Sequence, residues 1–200
     1  MTERSLDPIL LGAVGGLAWA ASLRGFMTEV AGSESQVSWT DTFVGILLPG
    51  LVAGGLLGWA ELRRRESRPV RALTAAPLLF AVATLSLPGQ LMAFVTTGIG
   101  GGAVAVPLMG IMGGYVLAGR HRWARIACSA LAISLLALAA VFTVVLGIPL
   151  TARTTWVAVL ILTLLVVQAW ACAIPLRAAP AASGRARRSL STDAAPLLGR

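Results

Sequence analysis

The chain has no lysine, one histidine and two cysteines among its 200 residues, and charged side chains make up only 12% of it. Each shortage removes a function. With His121 as the sole histidine, neither a two-histidine haem site nor the HExxH pair of a metalloprotease can form within one chain. Cys128 and Cys172 lie far apart in apolar sequence, so no CxxC redox pair or zinc quartet exists and both thiols are expected to stay reduced. There is no G-x-S-x-G elbow and no pair of acids within an apolar run, so hydrolysis lacks its parts. His121 sits among Arg120, Arg122 and Arg125 and reads as a solvated loop residue. Glu61 and Glu66 flank Arg63, Arg64 and Arg65, where ion pairing is their natural fate. No cofactor, no metal and no enzymatic activity are expected.

What is present is apolar. Hydrophobic residues make up 57% of the chain and the mean hydropathy is +0.84, whereas a soluble domain carries roughly a quarter charged residues. The bilayer is the expected solvent. All sixteen basic residues are arginine, which with the abundant alanine, glycine and leucine points to a GC-rich bacterial genome. The net charge of +8 is carried in short arginine clusters between apolar runs, the pattern of cytoplasmic membrane loops rather than of a nucleic-acid surface.

Six runs approach the roughly 20 residues that cross a hydrocarbon core: Ile9 to Met27, Phe43 to Ala60, Val70 to Leu87, Met92 to Ala118, Ile126 to Gly147 and Thr154 to Ile174. The third and fourth share a stretch that is expected to break at Pro88, Gly89 and Gln90. The expectation is an all-α integral membrane protein, a bundle of six transmembrane helices over residues 1–174, followed by a disordered basic tail over 175–200. Fourteen arginines fall on one side of this map against Arg24 and Arg153 on the other, which puts both termini in the cytoplasm of a bacterial inner-membrane protein. Trp59, Trp123 and Trp170 fall at inner ends and Trp39 and Trp156 at outer ones, while Trp19 sits within a span and packs there. A cleaved signal peptide is the weaker reading of the N-terminus: Ala18-Trp19-Ala20 offers small residues, but Glu3 and Asp7 offset Arg4 in the n-region.

Thr96 to Gly114 is the unusual stretch, with seven glycines and Pro107 in an apolar run. Gly98 to Ala103 matches the dinucleotide pattern G-x-G-x-x-G/A in letters only, because no strand precedes it and no acid follows at the expected distance. Two readings remain. Glycine allows helix backbones to approach, and Gly12 and Gly16, Gly50, Gly54 and Gly58, and Gly110 and Gly114 all recur at four-residue spacing. Alternatively Gly98, Gly100, Gly101 and Gly102 break a helix and present carbonyls to a permeating or bound molecule, with Gln90, Thr96 and Thr97 beside them and Ser134 and Thr143 of the fifth run facing them. Pro49, Pro77 and Pro107 are expected to kink their helices.

Two further positions enter the reading. Apart from Arg71 at the very start of the third run, Arg24 is the one charge inside a run, snorkelling to the outer interface or paired with Glu29, Glu34 or Asp41 if it is buried. Asp41 is expected to cap the second helix. The segments LGAVGGLAWA from Leu11 and MGIMGGYVLA from Met109 align three glycines and would run in opposite directions, as inverted repeats do. The expected role is a non-catalytic membrane subunit or scaffold assembled by glycine-mediated helix packing, with a small transporter or channel as the alternative. Its partners would be the bilayer and either a second copy or another membrane protein, with no nucleic acid.

Overall fold

Asp7 and Pro8 start the first helix in the way their chemistry favours. The Asp7 carboxylate accepts the Ile9 N–H at 2.9 Å, and Pro8, which has no N–H to lose, takes the first helical position. The computed structural model describes residues 7–32, 37–97 and 101–178, and in it α1 runs Pro8–Ala31 and stops at Gly32, whose φ of 57° favours glycine. Ser38 rather than Asp41 caps the next helix: its Oγ accepts the Asp41 N–H at 3.0 Å and donates to the Asp41 carboxylate at 2.6 Å. That helix opens as a π-helical stretch, Thr40–Leu47, and continues as α2, Leu48–Arg65. Pro49 offers no N–H to the carbonyls one turn before it, and Thr84 Oγ1 donates to the Gly45 carbonyl at 3.3 Å.

Described residues beyond α2 form a 3-10 turn Arg71–Ala75, α3 Leu78–Leu85, α4 Gln90–Thr97, α5 Gly101–Ala118, α6 Arg122–Val145 and α7 Ala152–Ala173, which ends in a 3-10 turn Ile174–Leu176. No strand occurs among them. Among the described residues five helices are long and apolar enough to cross a membrane: Pro8–Ala31, Thr40–Arg65, Gly101–Ala118, Arg122–Val145 and Ala152–Leu176.

The third expected run, Val70 to Leu87, is not a single helix. Pro77, unable to donate an intrahelical bond, sits as the N-cap of α3, and the eight residues of α3 extend only about 12 Å. In the fourth run the described residues form Gln90–Thr97, beyond the turn at Gly89 where φ is 80°, and Gly101–Ala118, with 98–100 outside the described residues. Pro107 lies fully buried inside α5, which continues through it to Ala118. The expected disordered tail falls largely at 179–200, outside the described residues, as do Gly98, Gly100 and Glu34.

The helices assemble as two close pairs. In the first, α1 and α2 run antiparallel with their glycines in register. A Cβ on Gly54 would strike the Gly12 carbonyl and come within 2.8 Å of the Gly16 Cα, and one on Gly58 would meet Pro8. In the second, α5 and α7 run parallel, with Gly110 against Gln168, Gly113 against Ala169 and Gly114 against Cys172. The pairs meet where the Trp19 indole N–H donates to the Leu164 carbonyl at 2.9 Å and its ring meets Phe80 edge-on, 6.4 Å between centroids. Ala20, Leu23, Ile46, Phe80, Ala103 and Leu164 form the core there.

These contacts fix the directions of the chain. The ends of α2 and α7 adjoin, since Arg64 Nη1 donates to the Ala178 carbonyl at 3.2 Å, while Arg153 pairs with Glu29 at the opposite end at 3.0 Å. As α5 runs toward the same end as α2, the chain between them must return. The return is the 3-10 turn at Arg71–Ala75 followed by α3, which climbs from Ile174–Leu176 to the level of Gly45. The suspected inverted repeat meets a difficulty in these directions. Its two glycine helices do run oppositely, but α1 packs its glycines on the antiparallel neighbour α2 and α5 packs them on the parallel helix α7.

Candidate functional site

The cavity of interest lies in the seam between the pairs, not beside the glycine run that opens α5. It has a volume of about 330 Å3 and is lined by residues of α1, α2 and α7 together with Pro77 and Phe80. It exists because both walls are built from small residues: Gly12, Gly15 and Gly16 on α1, and Gly50, Ala53, Gly54 and Gly58 on α2. Where those glycines face one another they bring the backbones together, and where they face α7 they leave space. Gly15 is the clearest case, since a Cβ there would meet nothing within 4 Å. A cavity of this size with mostly apolar walls lies within the range of sites that hold small molecules.

Two polar features interrupt the apolar wall. Gln168 on α7 is 7% exposed, lines the cavity, and its Oε1 is buried without any hydrogen-bond partner. Burying an unpaired amide group costs about 1–3 kcal/mol, so a carboxamide at this position is a standing expense within the fold. Its side chain fills the gap left by Gly110, where a Cβ would come within 2.5 Å of the carboxamide carbon, 2.6 Å of Cγ and 2.9 Å of Oε1. At the arginine-rich end stand Glu61 and Arg65. The Glu61 carboxylate accepts from Arg64 Nε at 2.7 Å and Nη2 at 2.8 Å and from Arg65 Nε at 2.8 Å, which leaves one surplus positive charge in this trio. Arg63 pairs with Glu66 at 3.2 Å, so both acids of the cluster find the arginine partners the sequence led one to expect.

The sequence-predicted binding residues are placed elsewhere. Gln90 and Thr96 lie on α4, and the Thr96 hydroxyl is exposed and donates to its own helix at the Met92 carbonyl, 2.8 Å away. Gly101 and Gly102 form the first turn of α5, and a Cβ on Gly102 would meet nothing within 4 Å. Thr97 ends α4, and Gly98 and Gly100 lie outside the described residues. Ser134 and Thr143 are exposed on α6, where Thr143 donates to the Ala140 carbonyl at 2.7 Å. None of these described residues lines the seam cavity. Arg24 donates to Thr28 Oγ1 at 2.9 Å and Thr42 Oγ1 at 3.5 Å in the C-terminal part of α1, while Glu29 is taken by Arg153.

The packing glycines Gly12, Gly16, Gly50, Gly54, Gly58, Gly110 and Gly114 all sit at close helix contacts within the chain. Gln168 was not among the sequence-predicted candidates. The signal that could have found it is an uncharged carboxamide inside the otherwise apolar run Thr154 to Ile174, since polar groups at membrane depth are retained for a reason. Thr74, whose Oγ1 is also buried and unpartnered, was missed for the same reason but does not line the seam. Comparison with protein-family models, curated proteins and solved structures finds no match for the chain.

Proposed function

We propose that the chain is a non-catalytic multi-pass protein of a bacterial cytoplasmic membrane, and that it binds or passes a small, mostly apolar molecule in the seam between its two helix pairs. The cavity of about 330 Å3 carrying the unpartnered Gln168 is the observation on which this rests. It favours the transporter or binding side of the sequence expectation and moves the site from Gly98–Gly102 to the seam. The glycine stripes expected to assemble partners are spent on contacts inside the chain.

Membrane residence is supported by the outer surface. Not one residue of α6 is buried, and Leu131, Ile133, Leu138, Val141 and Phe142 lie open along it, an apolar face that water-soluble monomers rarely expose. Exposed Trp59, Trp123 and Trp170 lie at the arginine end and Trp39 and Trp156 at the other, as headgroup-level anchors do. In this reading Arg71–Ala75 and α3 make the thin third of six crossings, and the arginine end is cytoplasmic. Reporter fusions after Gly89 and after Arg120 test it, with a periplasmic signal expected from the first and a cytoplasmic one from the second; the reverse pair would refute the orientation. Binding is tested with 1-aminoanthracene and the chain in lipid nanodiscs: saturable fluorescence that Gly15→Leu removes supports the seam, and fluorescence that rises only as the lipid takes up dye overturns it.

A second reading is favoured by α6 itself. This helix packs chiefly on α5 and leaves the rest of its surface apolar, so it could seat another membrane protein, as a non-catalytic subunit would.

A further inference from the structure

Resting on the seam reading, we infer that the ligand is a neutral, mostly apolar molecule carrying a single hydroxyl or comparable hydrogen-bonding oxygen, which meets the Gln168 carboxamide. The walls decide the first half of this description. They are glycine, alanine, proline, aliphatic and aromatic side chains, with no unpaired charge at the depth of Gln168, so a charged group there would go unmatched. Size agrees: an apolar cavity of roughly 150 Å3 holds benzene, and this one is about twice as large.

Gln168 decides the second half. No hydrogen bond from any other described residue reaches its carboxamide, although the residue is 7% exposed and Oε1 is wholly buried. A carboxamide presents an acceptor on one arm and two donors on the other, and a half-turn of the group exchanges them. Oε1 is turned to Gly110, so a hydroxyl in the cavity accepts from the amide N–H, or donates to Oε1 once that half-turn has brought it round. Pure hydrocarbon can answer neither, and would leave the polar group as unpaired as it stands. Gly110 leaves room on α5 for both the stem and Oε1, which lies 2.9 Å from where a Cβ would stand and is sealed there. The group at the mouth plays a different part: Glu61 is occupied by Arg64 and Arg65, so it offers entering molecules a positively biased rim rather than a second acceptor.

Trp19 supplies the readout, since it lines the cavity and its indole bonds the Leu164 carbonyl, one turn of α7 before Gln168. Two probes differing only in a hydroxyl, 4-bromophenol and bromobenzene, would each quench Trp19 by their bromine. The full chain in lipid nanodiscs is titrated with each, and the Trp19 signal is taken as the difference from Trp19→Phe. The expected result is saturable quenching by both, with 4-bromophenol bound about tenfold more tightly, the worth of one buried hydrogen bond. Gln168→Leu, and Gln168→Met as the better-tolerated shape, should bring 4-bromophenol to the level of bromobenzene. Equal affinities in the unaltered chain, or a hydroxyl preference that survives both variants, would overturn the inference while leaving the seam reading intact, provided Gly15→Leu still removes the quenching. Quenching that never saturates with either probe would overturn both.

Discussion

Gln168 lies across the position where Gly110 has no side chain, its Cγ within 2.6 Å and its Oε1 within 2.9 Å of where a Cβ would stand. The two residues therefore share one volume, and either can be enlarged only at the other's expense. Gly110→Ala should destabilise the bundle by about 1–3 kcal/mol, the usual range for overpacking. In the Gly110→Ala, Gln168→Ala double variant much of that loss should return, because the added methyl then enters the space the carboxamide vacated. Unfolding of the four proteins in mixed micelles forms a double-mutant cycle, and strictly additive losses would show that the shared volume has no energetic meaning.

The unpaired state of Oε1 makes an opposite prediction at the same residue. Gln168→Met keeps the length of the side chain and removes the buried polar atoms, so it should raise stability by about 1 kcal/mol. A residue that costs the fold stability fits a site that serves something other than the fold. A variant that unfolds more readily than the parent would mean that Gln168 is structurally satisfied after all.

The α1–α2 contact discriminates between adjacent glycines. Gly54 faces the α1 backbone, with the Gly12 carbonyl in the path of any Cβ, whereas a Cβ on Gly55 would rest 3.7 Å from that of Ala13, an ordinary contact. Gly54→Ala should cost roughly 1–3 kcal/mol and Gly55→Ala nothing or slightly less than nothing, since alanine is the better helix former. Equal effects in thermal unfolding would mean that the pair is not held together by close backbone approach.

This contact was legible in the sequence because its signal is local: Gly50, Gly54 and Gly58 repeat within one helix at a spacing that keeps one flank bare, and Gly12 and Gly16 answer them from the helix before. The arginine clusters and the apolar runs were legible for the same reason, each being a property of a short window. The seam was not, because it depends on Gln168 arriving beside Gly110 and lining one cavity with Gly54 from a distant helix, and no periodicity announces that meeting. The division of Val70 to Leu87 was half legible. Pro77 was expected to kink a helix, but the 3-10 turn ahead of it is held by packing on the end of α7, so the local sequence overstated the helix that remained.

The surface of α6 offers the sharpest separation between a bilayer and water as solvent. Ile133 stands near the middle of this helix and is 65% exposed, so substitution there touches almost nothing of the internal packing. In water, Ile133→Arg would be neutral or would improve solubility. In a membrane the same change sets a guanidinium at the centre of a hydrocarbon-spanning helix, which costs about 2.5–3.5 kcal/mol on insertion scales. Insertion measured by protease protection in membrane vesicles should therefore fall several-fold for Ile133→Arg, while Arg at Leu146, beyond the helix end, should insert as the parent does. Equal protection for both variants would mean that the exposed face of α6 meets protein or water rather than lipid, and the partner-docking reading of that helix would then take precedence over a lipid-facing one.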